Sequence, residues 1–325
     1  MNTSYEERLS AIPPDMKDAP AKFGQEAEEI VDAFLTALEA APPPPILYHY
    51  TNDVGLRGIL ESGKLWLTDI LSLNDPSELS HGLSPAITIL NGKAANGPPG
   101  TKRFAADFAE MIRLGKVQRS GDYFISCFSA TGDDLGQWRA YADNGRGYAL
   151  GFDSVALEAV FLQQVGAALP KAFAVAYNDA VLTDIQHGIV EKMFDLISLP
   201  RGKGLGDDAI IGYIAQLLTL TTVHALHAGL HFKHEAYENE QEYRFMQVHP
   251  PGSQPLVTKL RTRSYSSIRY QEFDWKSAGR DVLKKIVIGP AADVERATEF
   301  AKDSLLLTDQ QAVAIACSSI PYRAT

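Results

Sequence analysis

Leu47–Asp69, LYHYTNDVGLRGILESGKLWLTD, is the stretch whose reading decides the fold. Ile46 to Tyr50 reads as a short strand, and Asp53 to Ser62 as a helix with Gly63 as its C-terminal stop. Leu65 to Leu67 is extended again, so the stretch forms a compact strand, helix, strand unit. His49 lies in the strand, immediately before a helix start near Asn52 or Asp53. A helix start offers unpaired amide donors, and a histidine beside them can hold a ribose hydroxyl or a phosphate. The alternative is a packed aromatic strand, Tyr48-His49-Tyr50.

Upstream, Ala21 to Ala41 has the apolar spacing of an amphipathic helix through Phe23, Ile30, Phe34, Leu35 and Leu38, ended by the prolines 42–45. The proline run marks a boundary between an N-terminal helical arm with its linker, 1–45, and a domain over 46–325. Downstream, Tyr123 to Ser129 and Gly147 to Phe152 read as strands. Ser154 to His231 turns largely helical, as an insertion over about 154–235. Strands resume at Tyr243 to Val248, Val257 to Tyr265 and Lys285 to Ile288, with another at Ala312 to Ala316 and a helix at Ala292 to Leu306. Segregated strands with a helical insertion, and no regular βαβ alternation, predict an α+β fold.

Composition narrows the function classes. The chain has 325 residues with 30 Lys and Arg against 40 Asp and Glu, a net charge of −10, which disfavours wholesale electrostatic binding to DNA or an anionic membrane. Two cysteines, Cys127 and Cys317, build neither a disulfide scaffold nor a four-cysteine zinc site and fit a reducing compartment. Met1 to Ser10 lacks a basic start followed by an apolar run, so a cytoplasmic protein is expected. Ala209 to Phe232 holds no Asp, Glu, Lys or Arg and has the length of a bilayer span, but its threonines and histidines favour a helix in a soluble core, without a membrane partner.

Several local patterns resolve to ordinary structure. GPPGTK at 97–102 lacks the glycine before lysine and the hydroxyl after it that a phosphate loop requires, and RGKGLGDD at 201–208 has no preceding strand to make a dinucleotide fingerprint. Leu73–Glu78, LNDPSE, is a turn or helix-cap signal. His224, His227, His231 and His234 would line one side of a continuous helix, which raises zinc. No cysteine and no HExxH accompany them, so helix packing is the reading and no metal is expected. Cys127 has no local base or electropositive setting of the kind a nucleophile requires.

Two segments carry more chemistry. In YFISCFSA and DDLGQWRAYADNGRGYALGF, Ser126, Cys127 and Ser129 end a strand and Trp138, Tyr141 and Tyr148 follow closely; core packing is the competing reading. In KHEAYENEQEYRF, 233–245, Glu240, Glu242 and Arg244 alternate and would share one strand face. That clustering suits either a solvated edge or a site where a fixed carboxylate stabilises an oxocarbenium-like sugar carbon. Lys259, Arg261 and Arg263, near Tyr265, Arg269 and Tyr270, form either an exposed basic strand or a phosphate or nucleic-acid contact.

In their order, HYT with GLRGILESGKLWL, LNDPSE, SCFS with QWRAYADNGRGYALGF, FKHEAYENEQEYRF, IVIGP and SSIPYR resemble the DUF2971 family from about Ile46 to Arg323. The first motif also resembles the opening motif of ADP-ribosyltransferase-like folds. That resemblance implies a split β-sheet core with NAD, as substrate, in its cleft. It implies adenosine-ribose contact by His49, with Tyr50 and Thr51 beside it in the binding set, and a catalytic late-strand glutamate, Glu242 or Glu240. Ser126 and Ser129 resemble the strand-serine motif of some members, Trp138 or Tyr141 would pack on nicotinamide, and Arg244 would orient Glu242. The implied activity is cleavage of the nicotinamide glycosidic bond and transfer of ADP-ribose to a protein, nucleic-acid or small-molecule acceptor. The competing classes are a non-catalytic nucleotide- or nucleic-acid-binding module and an NAD glycohydrolase.

Overall fold

The computed structural model describes residues 10, 12–73, 77–113, 121–163, 169–250, 258–263 and 265–323. In chain order the main elements are α1 (Pro14–Glu39), β1 (Ile46–Thr51), α2 (Asp53–Ser62), β2 (Lys64–Asp69), α3 (Ser77–Ala95), α4 (Thr101–Arg113), β3 (Asp122–Ser129) and α5 (Leu135–Tyr141). There follow β4 (Tyr148–Asp153), α6 (Ser154–Leu162), β5 (Leu169–Ala174), α7 (Asp179–Phe194), α8 (Asp207–Gly229), β6 (Glu242–His249), β7 (Lys259–Arg263), β8 (Ser266–Asp274), β9 (Leu283–Ile288), α9 (Val294–Leu307) and β10 (Ala314–Cys317). The fold is mixed α+β, as the sequence predicts. Asn74, Asp75 and Pro76 of the LNDPSE turn lie outside the described residues, as do Val257 and Ser264 of the predicted strand at 257–265.

The chain divides into two compact units, one of Met1–Ala40, Asn74–Asp122 and Ala176–Glu235, the other of Ala41–Leu73, Tyr123–Val175 and Ala236–Thr325. These boundaries differ from an arm at 1–45 followed by one domain with an insertion from 154. α1 groups with the helices of the first unit, while α6 and β5, inside the predicted insertion, belong to the second.

The first unit is helical. α1 opens with Pro14 in its first turn and carries Pro20 inside. Its buried seam is Met16, Phe23, Ala27, Val31 and Leu35, a spacing of seven and then four residues that puts the side chains on a single face. Gly82 of α3 and Gly229 of α8 touch backbone to backbone, where a Cβ on Gly82 would lie 2.8 Å from Gly229 Cα. Gln186 of α7 secures that crossing, because its Nε2 donates to the carbonyls of Gly82 at 3.0 Å and Ala225 at 2.9 Å. α8 is long and apolar enough to cross a membrane, and half of its most apolar window is buried. It ends at Gly229, so His231 and His234 lie beyond the helix and the predicted four-histidine stripe is broken. His231 instead turns back, its Nδ1 donating to the His227 carbonyl at 2.8 Å.

The second unit is built on the sheet, with path β10-β9-β4-β1-β3-β2-β8-β7 and β6 joining β3 to β5. β9 and β10 are parallel, while β1, β2, β4 and β8 meet their path neighbours antiparallel. β5 and β8 are additions to the predicted strands. Ala-rich LPKAFA has weak strand propensity and carries Pro170, yet it forms β5 by pairing with β6 alone, where a proline is tolerated.

α2 is set by its caps. Asn52 accepts the Gly55 amide, and Gly63 ends the helix in the left-handed region at φ 67°. Leu56 and Leu60 then enter a core with Leu47, Leu65, Leu67, Phe124, Phe128, Phe152, Phe161, Phe245, Phe273 and Trp275. This core covers one face of the sheet. A second, smaller cluster of Tyr48, Tyr50, Trp138, Ala142, Ala149 and Val287 lies on the other strand parity of β1 and β4.

Candidate functional site

The sheet forks at β3. β1 pairs with it at Tyr48↔Ser129 and β2 at Thr68↔Ile125 and Asp69↔Phe124, while β6 is a third neighbour. Between the β1 and β2 registers, the carbonyl of Cys127 accepts a hydrogen bond from the side chain of His49 at 3.2 Å. A carbonyl only accepts, so Nδ1 carries the proton and the neutral ring keeps Nε2 as an acceptor. Burial lowers the His49 pKa from its ordinary 6.5, and the Cys127 hydrogen bond opposes that shift in part. The imidazole is therefore neutral at pH 7.

This shift sets a sign for stability. The unfolded chain binds the proton at higher pH than the folded one, so His49 contributes stability that is complete above 6.5 and is lost as the pH falls toward the folded midpoint. An NMR titration should give a ring midpoint below 6.5; a midpoint at or above that value would contradict the desolvated, carbonyl-bonded imidazole.

Strand alternation sorts the remaining candidates into two groups. On β1, His49 and Thr51 share the face of Leu47, and Tyr48 and Tyr50 the opposite one. Tyr48 is the direct partner of Ser129, so Ser129 and Cys127 lie with Tyr48, while Ser126 and Phe128 lie with His49. The His49 and Phe128 rings, 5.7 Å apart, agree with this assignment. Phe245 meets Phe128 at 4.9 Å, which places Glu242 and Arg244 on the face of Ser129 and Tyr50. The structure thus gathers Ser129, Glu242, Arg244, Tyr50 and Trp138 on one side, and His49, Thr51 and Ser126 on the other.

Glu242 and Arg244 form a buried pair. Arg244 Nε lies 2.5 Å from Glu242 Oε1 and Nη2 3.3 Å from Oε2, with the two residues 1% and 5% exposed. A guanidinium gripping both carboxylate oxygens fixes the direction of the carboxylate as well as its charge. Glu240 is not on that strand, contrary to the predicted three-residue alternation. It ends a 3₁₀ turn, Glu235–Glu240, and Gln241 follows in the left-handed region at φ 44° before β6 starts. The corner is held through its carbonyls: Ser129 Oγ donates to Glu240 O at 2.7 Å, Ala130 N to Gln241 O at 2.9 Å and Val175 N to Glu242 O at 2.9 Å.

The aromatic candidates separate. Trp138 is fully buried, edge-on to Tyr50 at 4.8 Å, and its Nε1 donates to Asp133 at 2.8 Å. Its ring is core, and of the two predicted nicotinamide partners only Tyr141, 37% exposed on α5, presents a ring to solvent. Tyr50 is also structural: its hydroxyl donates to Thr131 O at 2.9 Å and accepts from Asp134 N at 3.2 Å, and burial pushes its pKa up. Ser126 is buried, its hydroxyl without a hydrogen-bond partner among the described residues. Thr51 abuts Gly55, where any side chain would collide with its hydroxyl.

The described basic side chains of this region are engaged within the fold. Lys259 pairs with Glu272 at 2.8 Å, Arg261 stacks over Trp66 and donates to Thr68, and Arg269 pairs with Asp69 at 2.6 Å. The side chain of Arg263 lies outside the described residues. Among the described residues no group of three or more His, Cys, Asp or Glu is arranged to hold a metal ion.

One contributor is absent from the predicted set. Asp133 accepts from Trp138, from the Ser318 hydroxyl and from both the amide and hydroxyl of Ser319. Burial alone would raise its carboxyl, but these hydrogen bonds outweigh it and hold the group below the ordinary carboxylate value. The two partners are 185 residues apart in sequence, beyond the reach of any local spacing rule.

Residues 137–245 match a family model described as protein of unknown function, DUF2971. Over this stretch the chain is similar to the DUF2971 family. The stretch is narrower than the Ile46 to Arg323 of the expected resemblance. The matched segment takes in Trp138, Tyr141, Glu240, Glu242 and Arg244, while His49, Ser126 and Ser129 precede it. No curated protein and no solved structure matches the chain.

Proposed function

We propose that the sheet unit binds NAD and cleaves its nicotinamide glycosidic bond, passing ADP-ribose to an acceptor in the manner of ADP-ribosyltransferase-like folds. The observation that carries this reading is the buried Glu242–Arg244 pair, held at the forked end of β3 by the Ser129–Glu240 bond. Loss of nicotinamide leaves positive charge on the ribose carbon, and a carboxylate fixed in place stabilises it without reorganising. Glu242 supplies that charge and Arg244 orients it. Tyr141 packs on nicotinamide, and His49, neutral and anchored through Nδ1, meets the adenosine ribose from the other side of the fork. The acceptor is a protein, a nucleic acid or a small molecule in the cytoplasm, and water in the glycohydrolase variant.

A second reading is a module that binds a nucleotide without consuming it. It is favoured by the occupation of both Glu242 oxygens by Arg244, which limits contact with a sugar. Nicotinamide release beside NAD binding separates the two. For the enzyme, Glu242→Gln should abolish release, retain NAD binding and keep the wild-type circular dichroism. Release by Glu242→Gln at the wild-type rate would overturn the assignment.

A further inference from the structure

We infer that Ser318–Arg323 is a strap that clamps α5 onto the sheet, with Asp133 as its catch. β10 ends at Cys317, and the last bond of the ladder is Ser318 N to Ile288 O at 2.8 Å. Beyond it the chain is secured at three points. Ser318 and Ser319 donate three hydrogen bonds to the Asp133 carboxylate, which also holds the Trp138 indole of α5. Ile320 packs on the cluster of Tyr48, Tyr50, Trp138 and Val287. The Tyr322 hydroxyl donates to Asn144 Oδ1 at 2.6 Å.

The third point sits on a strained turn. Asp143 and Asn144 adopt φ 46° and 52°, and Gly145 follows at 86°; left-handed conformations at two residues with side chains persist only when neighbours over-determine them. Gly145 is also where the Tyr322 ring closes in, leaving 3.1 Å for any Cβ. Ser319, Pro321 and Arg323 are exposed, so the strap is fastened by polar catches and one isoleucine rather than by extensive burial. A seven-residue helix such as α5 is unstable by itself. It stays folded because Trp138 is buried beneath it and the strap is closed beside it. Opening the strap frees α5 with Tyr141 while the strands remain paired. This inference stands independently of the glycosidic chemistry.

Hydrogen exchange on the full chain tests it, with Asp133→Asn and the double variant Ser318→Ala, Ser319→Ala. The amides of Trp138, Ala142 and Gly145, bonded to Asp134 O, Trp138 O and Ala142 O, report on α5 and its turn. Both variants should speed exchange over residues 135–145 at least tenfold while β4 and β9 exchange as in the wild type. Unchanged exchange over 135–145 in either variant, or acceleration shared equally by β4 and β9, would overturn the strap.

Discussion

Replacing Arg244 by leucine is expected to cost about 3–5 kcal/mol of stability, because it strands the Glu242 carboxylate in a buried setting without its cation. Arg244 is 1% exposed and Glu242 5%, so neither solvent nor salt screens the loss. Replacing both residues by leucine should cost less than Arg244→Leu alone, since the desolvated charge leaves with its partner. Urea unfolding of the two single variants and the double measures the coupling. Additive single effects would mean that the pair does not act as a unit, and would remove the argument that Arg244 fixes the Glu242 carboxylate.

Trp138→Ala should be comparably damaging, about 3–5 kcal/mol for deleting a fully buried indole. Trp138→Phe keeps most of the packing against Tyr50 but loses the hydrogen bond to Asp133, which is worth about 1.5–3 kcal/mol because its acceptor is charged. The order Ala worse than Phe, both in stability, is the signature of a core residue. A Trp138→Ala variant as stable as the wild type that fails to bind NAD would restore Trp138 as the stacking residue, against the burial seen here.

These two positions show where sequence reading reached its limit. Local periodicity and punctuation located β1, α2, β2, β3, β4, β6 and α9 within a few residues, because Asn52, Gly63 and the alternating apolar strands act over short range. β5 was illegible because its strand state comes from pairing with β6 rather than from its own residues. The candidate site was legible as a set of residues but not as a geometry. Alternation places Glu242 and Arg244 together correctly, yet the left-handed Gln241 removes Glu240 from the row. Nothing in a strand's own sequence says which parity faces which partner, so the separation of His49 from Glu242 required the Tyr48↔Ser129 register. Asp133 was hidden for the same reason: its partners come from the far end of the chain.

The most direct test of the central claim is nicotinamide release from NAD by the purified protein, with and without cell extract, beside Glu242→Gln. Release by the wild type in at least one condition, lost in the variant, is the predicted result. Bound NAD that stays intact in both conditions, with wild type and variant alike, would contradict the enzyme and leave the nucleotide-binding module.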